Sequence, residues 1–142
     1  MGHAIHALVM TSADARTLVG EHAEMRAFAL PQGWAIVPVE AERIDALAER
    51  LAVAADEVLG VLSKERPFAE IQTDYFGGRG GQRALVWRDG QAIVGSGEWC
   101  EGHPINEALR TLGVRAMGSD EFDALELVRF RDHDDFASAT PL

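Results

Sequence analysis

Glu70 and Asp74 are the first residues whose types suggest chemistry. They lie in a segment, residues 68–76, where Phe68, Ile71, Thr73, Tyr75 and Phe76 favour a strand. Their even spacing puts both carboxylates on one face, as an acid and base sharing a substrate would need. Four strand residues span roughly 13 Å, whereas the carboxyl pairs of glycoside hydrolysis stand about 5 to 9.5 Å apart. Neither residue completes a pair with the other, and each would need a partner from elsewhere in the chain.

Cys100 and His103 stand three apart in Cys100-Glu101-Gly102-His103-Pro104, a spacing that suits two metal ligands or a thiol beside a base. A closed zinc site takes four ligands. There is no second cysteine and the other histidines are scattered, so neither metal nor cofactor is expected. A thiolate nucleophile would need a histidine placed by the fold and a third group to orient it, which the spacing alone does not supply. Gly95-Ser96-Gly97 lacks the Gly-x-Ser-x-Gly elbow of serine hydrolases.

The run Gly77-Gly78-Arg79-Gly80-Gly81 has the glycine content of a phosphate cradle. It joins one strand pattern to another instead of opening a helix, and it lacks the Gly-Lys-Ser/Thr ending. The predicted role of residues 77–81 is a sheet-connecting turn or bulge in which at least one glycine takes a positive φ. With Glu70, Asp74, Tyr75 and Gln82, the glycines Gly77, Gly78 and Gly80 form one candidate binding cleft. Trp34 and Trp87 read as core. Trp99, among turn residues, reads as an exposed anchor.

Lys and Arg number 13 against 23 Asp and Glu, a net charge of -10 that repels phosphate backbones and anionic lipid, so neither nucleic acid nor membrane is an expected partner. About half of the excess falls in residues 119–135, which hold seven acids against Arg129 and Arg131. Asp120, Glu121 and Asp123 make this segment the candidate docking surface for a basic protein. No apolar stretch is long enough to span a bilayer, the first residues lack the pattern of a secretory signal, and the lone cysteine permits no internal disulfide. A cytoplasmic location is expected.

These residues need elements to position them. Ile5, Ala7 and Val9 predict a first strand ending at Thr11-Ser12, with Ser12 capping a helix over residues 14–24. Pro31-Gln32-Gly33 predicts a hairpin turn. Ile44, Leu47, Ala48, Leu51, Ala55, Val58, Leu59 and Leu62 make an apolar helical stripe, as one helix or as two meeting near residues 53–56. Asp89-Gly90 offers a tight type I′ turn. Pro104 and Gly113 bracket a helix, Ser119 starts another, and residues 127–131 suggest a last strand. Hairpins mixed with helices imply an α+β fold, a mainly antiparallel sheet with helices packed on it, in a single domain over residues 1–142.

The run Ala69-Glu70-Ile71-Gln72-Thr73-Asp74-Tyr75-Phe76-Gly77-Gly78-Arg79-Gly80-Gly81-Gln82, with Ala84, Val86 and Trp87, resembles part of a family of small uncharacterised bacterial proteins. Ile105-Asn106-Glu107-Ala108-Leu109-Arg110-Thr111-Leu112-Gly113-Val114 and Asp120-Glu121-Phe122-Asp123-Ala124-Leu125 are similar to later parts of it. The family has no established activity, so the resemblance implies a shared fold and carries over no catalytic residue. Some small acidic proteins of this kind look like immunity or antitoxin partners. The expected function is accordingly non-enzymatic: binding a basic protein, as an inhibitor or immunity factor would, or a second copy of the chain. The alternative is a small-ligand module or enzyme built on the cleft.

Overall fold

The computed structural model describes residues 3–76, 79–95, 99, 102–116 and 120–142. Strand β1, His6–Thr11, holds Ala7, Leu8, Val9 and Met10, none of which reaches solvent. A strand apolar on both faces must be central and covered on both sides. β1 indeed lies inside a six-stranded sheet of order β2-β3-β1-β4-β5-β6, with β2 Phe28–Ala29, β3 Trp34–Pro38, β4 Phe68–Phe76, β5 Arg79–Arg88 and β6 Gln91–Val94. Every pairing is antiparallel. The architecture is α+β, as the mixture of hairpins and helices implied.

Alternate residues of each strand feed two cores. Leu8, Met10, Val37 and Phe68 face helices α1 Ser12–Glu21, α2 Ala41–Leu51 and α3 Val58–Ser63, through Leu18, Ile44, Leu47, Val58 and Leu62. Ala7, Val9, Ile36, Ile71 and Val86 face helices α4 Pro104–Leu112 and α5 Glu121–Ala124 and the C-terminal turns, through Ile105, Leu109, Leu125, Phe130 and Phe136. The apolar stripe of residues 44–62 is thus two helices. Ala52, at φ 57, ends α2, and a 3-10 turn at Ala55–Glu57 leads into α3. At the β2 edge the C-terminal residues add ladder bonds, Ala29 N–H to the Thr140 carbonyl (2.9 Å) and Leu142 N–H to Ala27 (3.0 Å).

Several local expectations change. Thr11, not Ser12, caps α1: its hydroxyl accepts from the Asp14 amide, while Ser12 donates to the Trp34 carbonyl. The helix stops at Glu21. Residues 127–131 form no strand; Leu127–Arg129 is a 3-10 turn whose spacing buries Leu127 and Phe130 together in the second core. Asp120 is the N-cap of α5, and Ser119 lies outside the described residues. The Asp89-Gly90 turn has the expected positive φ values, 55° and 85°.

The glycine run is shorter as a connection than expected. β4 and β5 pair out to Phe76 and Arg79, so Arg79, Gly80 and Gly81 belong to the strand. Gly77 and Gly78, also placed in the candidate cleft, lie outside the described residues. Gly80 sits opposite Tyr75 at φ +137, and a Cβ there would stand 1.8 Å from the Asp74 carbonyl oxygen. Its glycine is required by the close approach of two backbones.

Candidate functional site

The pleat divides the candidate residues between two clefts. On the α4–α5 side, His3, Thr73, Tyr75, Gln82, His103, Asn106, Asp120 and Phe122 line a cavity of about 260 Å³. On the α1–α3 side, Glu70 faces another, of about 340 Å³, with His6, Arg83, Leu85 and Trp87. Asp74 and Trp99 border a shallow depression beside it. The structure therefore brings Tyr75, Gln82 and Asp120 together and puts Glu70 and Asp74 on the opposite face, because odd and even strand positions point apart.

The first cleft is built by polar side chains that also fix its walls. Gln82, 9% exposed, accepts from the Ile105 amide at the start of α4 (2.9 Å) and donates from Nε2 to the Tyr75 hydroxyl (3.1 Å). A backbone donor that no carbonyl of the helix could satisfy is thereby capped from the sheet. The Tyr75 oxygen is held as an acceptor, which leaves its O–H to donate into the cleft. Across the cavity, Asn106 ties α4 to α5: Nδ2 donates to Asp120 Oδ2 (3.1 Å), and Oδ1 accepts from the Phe122 amide (2.8 Å). Asp120 Oδ1 accepts from the Asp123 amide (2.9 Å). The carboxylate is thus oriented from two directions.

His3 supplies the floor. Its Nδ1 lies 2.7 Å from Thr73 Oγ1 and its Nε2 lies 3.2 Å from the Leu127 carbonyl oxygen. A carbonyl can only accept, so Nε2 carries hydrogen and Nδ1 accepts from Thr73, whose oxygen in turn accepts from the Ile5 amide (3.1 Å). Burial lowers the His3 pKa, and Arg131 adds to that, against the raising effects of the Leu127 carbonyl and Asp135. The ring is neutral and packs at 5.5 Å from Phe122. With both nitrogens engaged, His3 is not placed to take a proton from a substrate, and the Thr73 hydroxyl is committed on both sides. The lining offers recognition instead: donors at Tyr75 and Gln82, a carboxylate at Asp120 and aromatic faces between them.

Glu70 in the second cleft is engaged otherwise. Burial pushes its pKa up, but hydrogen bonds from His6 (2.7 Å) and from Trp87 Nε1 (3.0 Å), with the charges of His6 and Arg83, outweigh that and hold it below the ordinary value. Its oxygens join β1, β4 and β5 and leave the Glu70–Asp74 face with a structural carboxylate. Trp99 is 44% exposed, and the Arg83 guanidinium lies over its ring at 5.7 Å.

Of the seven acids in the acidic segment, Glu121 is buried and Asp135 half-buried, while Asp120, Asp123, Glu126, Asp132 and Asp134 are exposed. Glu121 is only 4% exposed and accepts from Arg110 Nε (2.8 Å); that bond, against the opposing effect of burial, lowers its pKa. Asp120 and Asp132 cap α5 and the C-terminal 3-10 turn, and Asp135 accepts from the Arg131 amide (2.7 Å). Asp123 stays exposed. Cys100 lies outside the described residues, and no group of three or more His, Cys, Asp or Glu side chains converges among the described ones. No described helix is long and apolar enough to cross a membrane.

Sequence reasoning missed His3, Thr73, Asn106 and Phe122. One signal was available for Asn106, an amide inside the apolar run Ile105 to Leu109, where a buried polar side chain must have partners. The fold and site together define an antiparallel α+β protein with a polar-floored cleft between a long hairpin and two helix starts. No family model, no curated protein and no solved structure matches the chain.

Proposed function

We propose that the protein is a non-enzymatic small-ligand-binding module whose site is the cleft of Tyr75, Gln82, Asp120 and Phe122. The observation that carries this reading is Gln82, buried and bonded to both α4 and Tyr75, which aims a phenolic donor into the cavity of about 260 Å³. A dry cavity of about 150 Å³ holds benzene, so this one has room for a ring with a short substituent. Small-molecule sites combine apolar walls with a few fixed polar groups in this manner.

The test is amide NMR with single-ring fragments, neutral, cationic and anionic. Shifts should concentrate at Gln82, Ile105 and Phe122 and fade when His103→Trp narrows the mouth. Fragments that bind elsewhere, or equally well to His103→Trp, would refute the assignment.

A second reading, an acidic protein that docks on a basic partner, draws on the net charge of -10 and on the exposed Trp99. It draws less from Asp120 and Glu121, whose carboxylates already serve α4 and α5.

A further inference from the structure

We propose that the ligand of this cleft is an uncharged aromatic carbonyl compound, a single ring whose ketone or amide oxygen accepts a hydrogen bond from Tyr75. The inference rests on the ligand-binding reading above and adds the chemical class. Hydrogen-bond accounting carries it. The Ile105 amide can only donate, so the Gln82 atom 2.9 Å from it is the side-chain oxygen, and the nitrogen end faces Tyr75. An amide nitrogen also only donates, so the Tyr75 oxygen accepts at 3.1 Å and its own hydrogen must go elsewhere. Among the described residues nothing accepts that hydrogen, nor the second one on Gln82 Nε2. Both residues line the cavity, so its wall carries two adjacent donors that lack an acceptor.

A hydroxyl that already accepts a hydrogen bond is polarised and donates more strongly. The relay from the Ile105 amide through Gln82 thus sharpens the phenol as a donor. A carbonyl oxygen matches it, having two lone pairs and no hydrogen of its own, and its second lone pair suits the remaining Gln82 hydrogen. An ammonium group only donates and would set hydrogen against hydrogen. A carboxylate could accept, but no lysine or arginine lines the cleft to balance its charge, and the chain carries a net -10. Asp120 enters only as part of the wall, since the selecting pair is Gln82 and Tyr75.

The ring follows from the other walls. His3, Tyr75, His103 and Phe122 give half of the eight lining residues an aromatic face, and His3 and Phe122 stand 5.5 Å apart at 57°. Flat rings pack edge-to-face or offset on such surfaces. A dry cavity of about 150 Å³ takes benzene, and this one, of about 260 Å³, has room for the ring and a short carbonyl substituent.

The probe is acetophenone, compared with ethylbenzene, which has nearly the same shape without an acceptor, with benzoate, an anion, and with benzylamine, a cation at pH 7. Each is titrated into the wild-type protein at pH 7 and followed by amide NMR. Acetophenone should shift Gln82, Ile105 and Phe122 saturably and bind at least about fivefold more tightly than ethylbenzene, the size of effect that one net hydrogen bond gives; both charged probes should be weaker than acetophenone. Tyr75→Phe keeps the ring and removes the donor. It should bring acetophenone to within about twofold of ethylbenzene while leaving ethylbenzene unchanged.

If ethylbenzene, benzoate or benzylamine shifts the cleft amides as tightly as acetophenone, the carbonyl assignment is wrong while the ligand cleft stands. An acetophenone affinity that Tyr75→Phe leaves intact, or equal losses of acetophenone and ethylbenzene, would overturn it in the same way. The wild-type series decides the class even where a melt shows the variant unfolded. If none of the four probes, nor any fragment, shifts the cleft amides, the ligand-binding reading falls and takes this one with it.

Discussion

Replacing Gly80 by alanine tests whether the glycine run serves the sheet or a ligand. An alanine Cβ at this position would lie 1.8 Å from the Asp74 carbonyl oxygen, 2.8 Å from its carbon and 2.9 Å from Tyr75 Cα, all backbone atoms of the paired strand. Real Cβ contacts essentially never fall below 3.0 Å, so β4 and β5 are about 1.2 Å too close to admit it. No side chain can rotate away to make room. Backbone strain of about 1–3 kcal/mol and the loss of about one ladder hydrogen bond, near 1 kcal/mol, give a destabilisation of roughly 3 kcal/mol.

Gly20 is the internal control. It sits in the last turn of α1 with nothing within 4 Å of where an alanine Cβ would stand, so Gly20→Ala should stabilise by about 0.5–1 kcal/mol through helix propensity. Urea melts of the two variants, fitted with a common slope, should therefore lie on opposite sides of wild type and differ from each other by roughly 4 kcal/mol. A Gly80→Ala protein within about 1 kcal/mol of wild type would refute the close approach and return the glycine run to the candidates for binding.

Two further outcomes follow from the charged and titrating groups. Glu121→Ala should lower the urea midpoint because it strips Arg110 of its buried partner, whereas the exposed Asp123→Asn should change stability by under about 0.5 kcal/mol. Acid should destabilise the protein below pH 6.5, the ordinary histidine value, because His3 and His22 both have lowered folded pKa values: the unfolded chain binds these protons more readily than the folded one. For both groups burial is the leading cause, joined for His22 by Arg50. The contribution is fully present above pH 6.5 and is lost as pH falls toward the folded values. Thermal melts of His3→Gln between about pH 7 and pH 5 should show a shallower slope than wild type, and an unchanged slope would contradict the neutral, half-buried ring.

How much of this was legible depends on where the deciding interaction lies. Asp89-Gly90, Pro31-Gln32-Gly33 and the Pro104 to Gly113 helix were readable because local turn and cap chemistry determines them. The Ile44 to Leu62 stripe showed its burial but not its break, since Ala52 takes a left-handed conformation that no residue type at that position announces. Residues 127–131 misled because an apolar pair at spacing three, Leu127 and Phe130, serves a 3-10 turn as well as a frayed strand. β1 was readable from Ile5, Ala7 and Val9 up to Thr11, although a strand covered on both faces loses part of its alternation.

The site was less legible than the fold because it joins residues from separate parts of the chain, 70 and 124 positions apart in the contacts of His3 with Thr73 and Leu127. Composition drew notice to the acids around Asp120 as a surface, yet a carboxylate one residue before a helix has a second use, accepting the amides that the helix cannot bond itself. Asp120 makes that bond to Asp123 and, through Asn106, couples α5 to α4. Its side chain stays exposed while it makes both bonds. Asp120 thus links two helices and also lines the cavity between them.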